Sequence, residues 1–157
     1  MYRKLQVVAL FVFLFSVAGW AQGPDPMMGT WKLNVAKSKY SPGPPPRSTT
    51  TKREASGTNG VKYTSDAVTA QGESRHIEYT ANYDAKDYPV KGDPDRDVAS
   101  MKRVDAHTYE GTNKKGGKVT GTFRGVVSPD GKTLTITTKG TDPQGRPENN
   151  VVVYDKQ

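Results

Sequence analysis

Lys118-Val119-Thr120-Gly121-Thr122-Phe123-Arg124-Gly125-Val126-Val127-Ser128-Pro129-Asp130-Gly131-Lys132-Thr133-Leu134-Thr135-Ile136-Thr137-Thr138-Lys139 is the stretch that decides the fold class. Val119, Gly121, Phe123, Gly125 and Val127 share one side of a two-residue period, with Lys118, Thr120, Thr122 and Arg124 on the other. After the break, Leu134 and Ile136 oppose Thr133, Thr135 and Thr137. The break itself, Ser128-Pro129-Asp130-Gly131, presets φ at proline and offers a glycine at ease with positive φ. Two alternating runs about a turn of that chemistry make a β-hairpin with one buried face.

The same grammar extends in both directions. Ser56–Gly60, Ala70–Gly72, Gly92–Asp95, Asp105-Ala106, Lys115–Gly117 and Asp142–Gly145 are turn sets, and they separate runs at 47–55, 61–69, 74–81, 97–104, 107–114, 118–127, 132–139 and 149–155. A short extra strand at Lys86–Val90 is demoted to an edge or bulge by Pro89, which cannot donate to a ladder. Upstream, Gly29–Asn34 alternates with Trp31 and Leu33 on one face, and Val35–Pro46 then reads as a long surface crossing to the second strand. Consecutive hairpins at this spacing predict an all-β fold, an antiparallel up-and-down barrel of about 8–10 strands, since closure also removes exposed edges.

Following the phase strand by strand predicts an inward set of Trp31, Leu33, Tyr63, Ile77, Tyr79, Met101, Tyr109, Phe123, Leu134, Ile136 and part of the run 151–154, whose own phase is ambiguous. Arg75 lies in phase with Ile77, and Arg103 with Met101. A guanidinium facing a barrel interior needs a carboxylate, a wet cavity or an anionic ligand. The candidate ligand-binding residues are therefore Trp31, Arg75, Tyr79, Arg103, Tyr109 and Phe123, joined below by Tyr154.

The N-terminus has a different character. Arg3 and Lys4 precede the apolar run Val7–Phe15 and the small-residue stretch Val17–Ala21, the pattern of a secretory signal peptide over 1–21 cleaved before Gln22. The apolar run is shorter than the roughly 20 residues a bilayer span requires, so no stable membrane insertion is expected after cleavage. Residues 22–28 read as a flexible leader and 29–157 as one barrel domain. The expected location is periplasmic or secreted.

Lys and Arg number 23 against 16 Asp and Glu, and losing Arg3 and Lys4 leaves 21 against 16, a net charge near +5. That charge is spread along the chain, without the clustered basic and aromatic residues that nucleic acid demands, so no nucleic-acid partner is expected. With no cysteine, stability must come from packing and sheet hydrogen bonds. The two histidines, His76 and His107, have no metal-ligand spacing. Asp93-Pro94-Asp95-Arg96-Asp97 opens like a calcium loop but has Val98 and Val104 where that loop needs Gly and Glu. No nucleophile elbow, phosphate-cradling loop or paired-acid spacing occurs. Neither catalytic residues, nor a metal, nor a cofactor is predicted.

Gly29-Thr30-Trp31-Lys32-Leu33-Asn34 at the head of the first strand, and the ending Val151-Val152-Val153-Tyr154-Asp155-Lys156, resemble the calycins, the group of lipocalins, fatty-acid-binding proteins and their bacterial relatives. The chain looks like a small secreted bacterial lipocalin-like barrel. The resemblance implies that Trp31 packs beneath the cavity and closes one barrel end. It also implies that Tyr154 faces a ligand and that Arg124 stands where lipocalins stack an arginine on that indole. Two departures accompany it: the Pro-rich 41–46 segment replaces the helical lid of the fatty-acid-binding proteins, and Val152 replaces the arginine of their closing Arg-x-Tyr pair. The expected function is non-catalytic binding of a small apolar or amphipathic ligand inside the barrel. The alternative is an interaction or protease-inhibitor-like module acting through surface loops and the leader.

Overall fold

The computed structural model describes residues 24–157, so the signal peptide expected over 1–21 and the first two leader residues lie outside it. Ten strands follow in chain order: β1 Gly29–Leu33, β2 Ser48–Ser56, β3 Gly60–Val68, β4 Ser74–Asn82, β5 Asp84–Pro89, β6 Val98–Arg103, β7 Thr108–Lys115, β8 Lys118–Val127, β9 Thr133–Thr141 and β10 Pro147–Lys156. They form one antiparallel sheet in the order β4-β3-β2-β1-β10-β9-β8-β7-β6-β5. This is the predicted up-and-down barrel, nearly closed. At the seam β4 and β5 share no continuous ladder; a single bridge joins them, Glu78 and Lys91 exchanging both backbone hydrogen bonds at 3.1 and 3.0 Å. Pro89 sits on the edge strand β5, whose register against β6 shifts between Asp84 and Asp87.

The phase reading holds across the sheet. Register pairs Trp31 with Thr51, Tyr63 with Tyr79, Gly111 with Phe123 and Gly125 with Ile136, all on the inner face. Trp31 and Met101 are fully buried, and Tyr109 and Leu134 nearly so. Two glycines shape the interior. A side chain at Gly125 would run into the ring of Tyr109, its register partner, and one at Gly111 into the ring of Phe123. Each ring lies across the glycine of the neighbouring strand, so small and large residues interdigitate around the wall. Val119, in phase with Phe123 in the sequence, is 60% exposed at the rim, where a register shift between Asn113 and Lys114 disturbs the last rungs of β7 and β8.

The ambiguous run near the C-terminus is buried throughout Val152–Tyr154. The chain leaves β1 through a one-turn 3-10 segment at Val35–Lys37, capped by Asn34, and then rejoins β10. Lys39 and Val151 exchange backbone hydrogen bonds, and the Asn149 N–H donates to the Ser41 carbonyl at 2.7 Å. Val152 and Tyr154 face inward opposite Ile136 and Leu134. The predicted surface crossing is thus tied to the sheet as far as Ser41 and becomes an exposed prolyl stretch only beyond it.

The residues expected as a mobile leader are packed over 24–28. Met27 is fully buried, its carbonyl accepts from the Trp31 indole N–H at 3.3 Å, and Lys156 Nζ donates to the Pro26 carbonyl at 3.1 Å. Asp25 takes both its oxygens to Arg103 Nη2, at 2.7 and 2.6 Å. This segment and Trp31 form the floor of the barrel, which leaves 24–28 unavailable as a free inserting peptide. Burial of a methionine and a carboxylate-guanidinium pair outweighs the conformational freedom of a short polar leader.

Candidate functional site

Above the floor, the inner faces of β2, β3, β4, β7 and β8 bring a set of rings together around one guanidinium. Tyr63 and Tyr79 stack with centroids 4.7 Å apart, and Tyr109 meets Phe123 edge-on at 6.1 Å and Tyr83 at 6.3 Å. Arg53 on β2 reaches into this cage. Its guanidinium carbon lies 4.6 Å from the Tyr109 centroid and 5.5 Å from that of Tyr63, and Nη2 donates to the Tyr109 hydroxyl. Arg53 is 4% exposed, its Nε has no acceptor among the described residues, and no described carboxylate pairs with its guanidinium.

The phenols do not supply the missing negative charge. Burial pushes the Tyr109 hydroxyl up to about 12, and burial raises Tyr79 as well, so both are neutral wherever the protein is folded at ordinary pH. Arginine keeps its proton throughout. Ring faces and one hydroxyl therefore solvate an otherwise unneutralised cation, through cation–π contacts worth about 0.5–2 kcal/mol each.

Arg53, Tyr63, Tyr79, Tyr109 and Phe123 line a cavity of about 110 Å³, together with Arg96, Asn113, Ile136 and Thr138. Arg96, Asn113 and Thr138 also line a mouth of about 580 Å³ at the end of the barrel opposite Trp31. Arg96, from the β5–β6 loop, thus stands between the two spaces. Its Nε is 2.9 Å from Asp93, its Nη1 donates to Asn113 Oδ1 at 2.9 Å, and its guanidinium carbon is 5.8 Å from the Tyr79 centroid. The rim is mixed in charge. Arg75 faces Asp95 at 3.7 Å, Arg146 holds Asp142 at 2.7 Å, and Glu148 is raised above the usual carboxylate range by partial burial and by Asp95, Asp142 and Asp93. Among the described residues no group of three or more His, Asp or Glu could hold a metal ion.

The candidate residues divide among four places. Tyr79, Tyr109 and Phe123 line the inner cavity. Trp31 is the floor, as the resemblance implies, but what lies over its ring is the Lys156 ammonium at 4.9 Å; Arg124 is exposed on the outer face, paired with Glu110. Neither Arg75 nor Arg103 lines the cavity. Arg103 is neutralised at the floor by Asp25, with Tyr83 beneath it at 5.1 Å, and Arg75 sits at the rim. Tyr154 is buried low in the wall beside Leu33 and Leu134 and does not line the cavity. The group that sequence reasoning passed over is Arg53. The signal available for it was its phase with Thr49 and Thr51, which becomes an inward phase once Thr51 is paired with Trp31.

A second hollow, of about 550 Å³, lies on the outer side of β6–β9 among Ser100, Lys102, Glu110, Thr122, Arg124 and Lys139. Its charges are solvated or paired, and the interior site holds the unusual chemistry. Neither a protein-family model nor a curated protein sequence matches this chain, so the candidate site rests on its own geometry.

Proposed function

We propose that the protein is an exported, non-catalytic binding module of lipocalin-like type, holding a small amphipathic molecule inside the barrel. The observation that carries this reading is a ring-lined cavity that shares Arg96, Asn113 and Thr138 with an open mouth, with a floor sealed by Trp31, Met27 and Lys156 at the other end. Concave sites with mostly apolar walls and a few convergent polar groups are where small ligands bind, and barrel mouths are a favoured location. The interior side chains present no nucleophile paired to a base, which favours binding over chemistry. Export is inferred from the pattern of residues 1–21, and N-terminal sequencing of the protein from its host should return Gln22.

Native mass spectrometry of protein purified gently from its natural host tests the binding reading. A co-purifying species of a few hundred daltons or less, lost on denaturation, is the expected result. Protein that carries nothing, and whose inner-cavity Tyr63, Tyr79 and Phe123 ring resonances respond to no small aromatic or apolar probe, would refute it.

A further inference from the structure

Resting on that reading, we propose that the cavity selects a compact aromatic monoanion, with its carboxylate on Arg53 and its ring among Tyr63, Tyr79, Tyr109 and Phe123. The first argument is charge. Two guanidinium groups line the cavity, and Arg96 is already matched by Asp93 at 2.9 Å. Arg53 is not matched among the described residues, and it offers an unused Nε–H. The buried surplus is therefore one positive charge, which one carboxylate cancels. Inorganic phosphate, a mixture of mono- and dianion at neutral pH, would bring hydroxyl and oxygen groups that the ring-lined walls leave unpaired, and as the dianion a second buried negative charge.

Size and wall chemistry supply the second argument. About 110 Å³ is somewhat below the roughly 150 Å³ of a cavity that admits a benzene ring, so the inner space takes one compact ring at most, and anything longer must extend toward the mouth. The walls are faces and edges of four aromatic side chains, which favour an offset or edge-on ring. Thr138 and Asn113, at the junction with the mouth, add polar groups where a substituent on that ring would emerge. The pairing of an unmatched cation with an aromatic cage distinguishes this cavity from an ordinary packing defect, which is apolar and dry.

Calorimetry and ring-proton NMR with four probes test the assignment: benzoate, its neutral counterpart benzyl alcohol, hexanoate and inorganic phosphate. Benzoate should bind best, shifting the Tyr63 and Tyr109 ring signals. Arg53→Gln should weaken benzoate by about 10- to 100-fold, the value of a charge-assisted hydrogen bond, while leaving benzyl alcohol unchanged. Arg53→Lys keeps the charge and should retain part of the affinity, and circular dichroism confirms that each variant is folded. Equal binding of benzoate and benzyl alcohol, undiminished benzoate binding by a folded Arg53→Gln, or a preference for phosphate or hexanoate would overturn the anion assignment while leaving the barrel as a binder. If none of the four probes moves a cavity resonance, the ligand-holding reading fails along with it.

Discussion

Met27→Ala tests whether the floor is part of the fold. Met27 is fully buried beneath the barrel, whereas its neighbour Met28 is only partly buried against the core. Removing a fully buried methionine side chain costs roughly 2–5 kcal/mol, and the lower half of that range applies because the short segment can settle into part of the void. A loss of about 2–3 kcal/mol corresponds to a fall in Tm of about 10 °C for a domain of this size. The backbone carbonyl that accepts from the Trp31 indole survives the substitution, so the change isolates packing from hydrogen bonding. Thermal denaturation followed by circular dichroism measures the shift. Trp31 is the only tryptophan beyond Trp20, and its emission should move to the red as water reaches the ring. Met28→Ala, at a half-buried position, serves as the control and should cost less than about 1 kcal/mol. A Met27→Ala protein melting within about 2 °C of the parent, with unchanged emission, would show that the segment lies off the barrel and that the floor is Trp31 alone.

Gly125→Ala drives a methyl group into the Tyr109 ring and should lower the urea midpoint by the equivalent of about 1–3 kcal/mol; combining it with Tyr109→Leu should cost less than the sum of the two. Glu148 has a folded-state pKa above its ordinary 4.5, so its contribution favours folding below that value and is lost as pH rises through the folded pKa. Relative to the parent, Glu148→Gln should flatten that part of the stability profile between about pH 4.5 and neutrality, as read from chemical denaturation at a series of pH values. His76 Nδ1–H donates to Asp66 Oδ1 at 2.6 Å on the outer face, and this hydrogen bond raises its pKa above 6.5. Its contribution is present below 6.5 and lost as pH rises through the folded value, and an NMR titration of Asp66→Asn should return the imidazole toward 6.5.

Much of the architecture was legible because period-two alternation and turn residues are local signals. Gly116-Gly117, both at positive φ, make the tight β7–β8 hairpin that their spacing implied. Phe123 between Gly121 and Gly125 announced an inward row in which rings and glycines alternate. The seam was foreshadowed by Pro89, since a residue without an N–H is confined to an edge. What stayed hidden depends on pairs distant in sequence. Nothing near Asp25 reveals that Arg103, far along the chain, will clamp it and turn a polar leader into a floor. Likewise Ser48-Thr49-Thr50-Thr51-Lys52-Arg53-Glu54 is polar on both faces, so its phase is undetermined until β1 supplies the register. Arg75 and Arg103 stood out because apolar neighbours set their phase; Arg53 had threonines for neighbours and went unnoticed. The interior arginine that matters sat on the strand with the least apolar pattern.

The ring-over-glycine contacts also constrain how this interior can diverge. Tyr109 with Gly125, and Phe123 with Gly111, occupy shared volume across neighbouring strands. A larger residue at Gly125 requires the Tyr109 ring to shrink, whereas at Gly111 the Ser100 backbone carbonyl blocks any side chain whatever becomes of Phe123. Descendants of this chain should therefore exchange residues 125 and 109 as a couple while Gly111 stays fixed, so that the interior is reshaped on one side of the wall and held on the other.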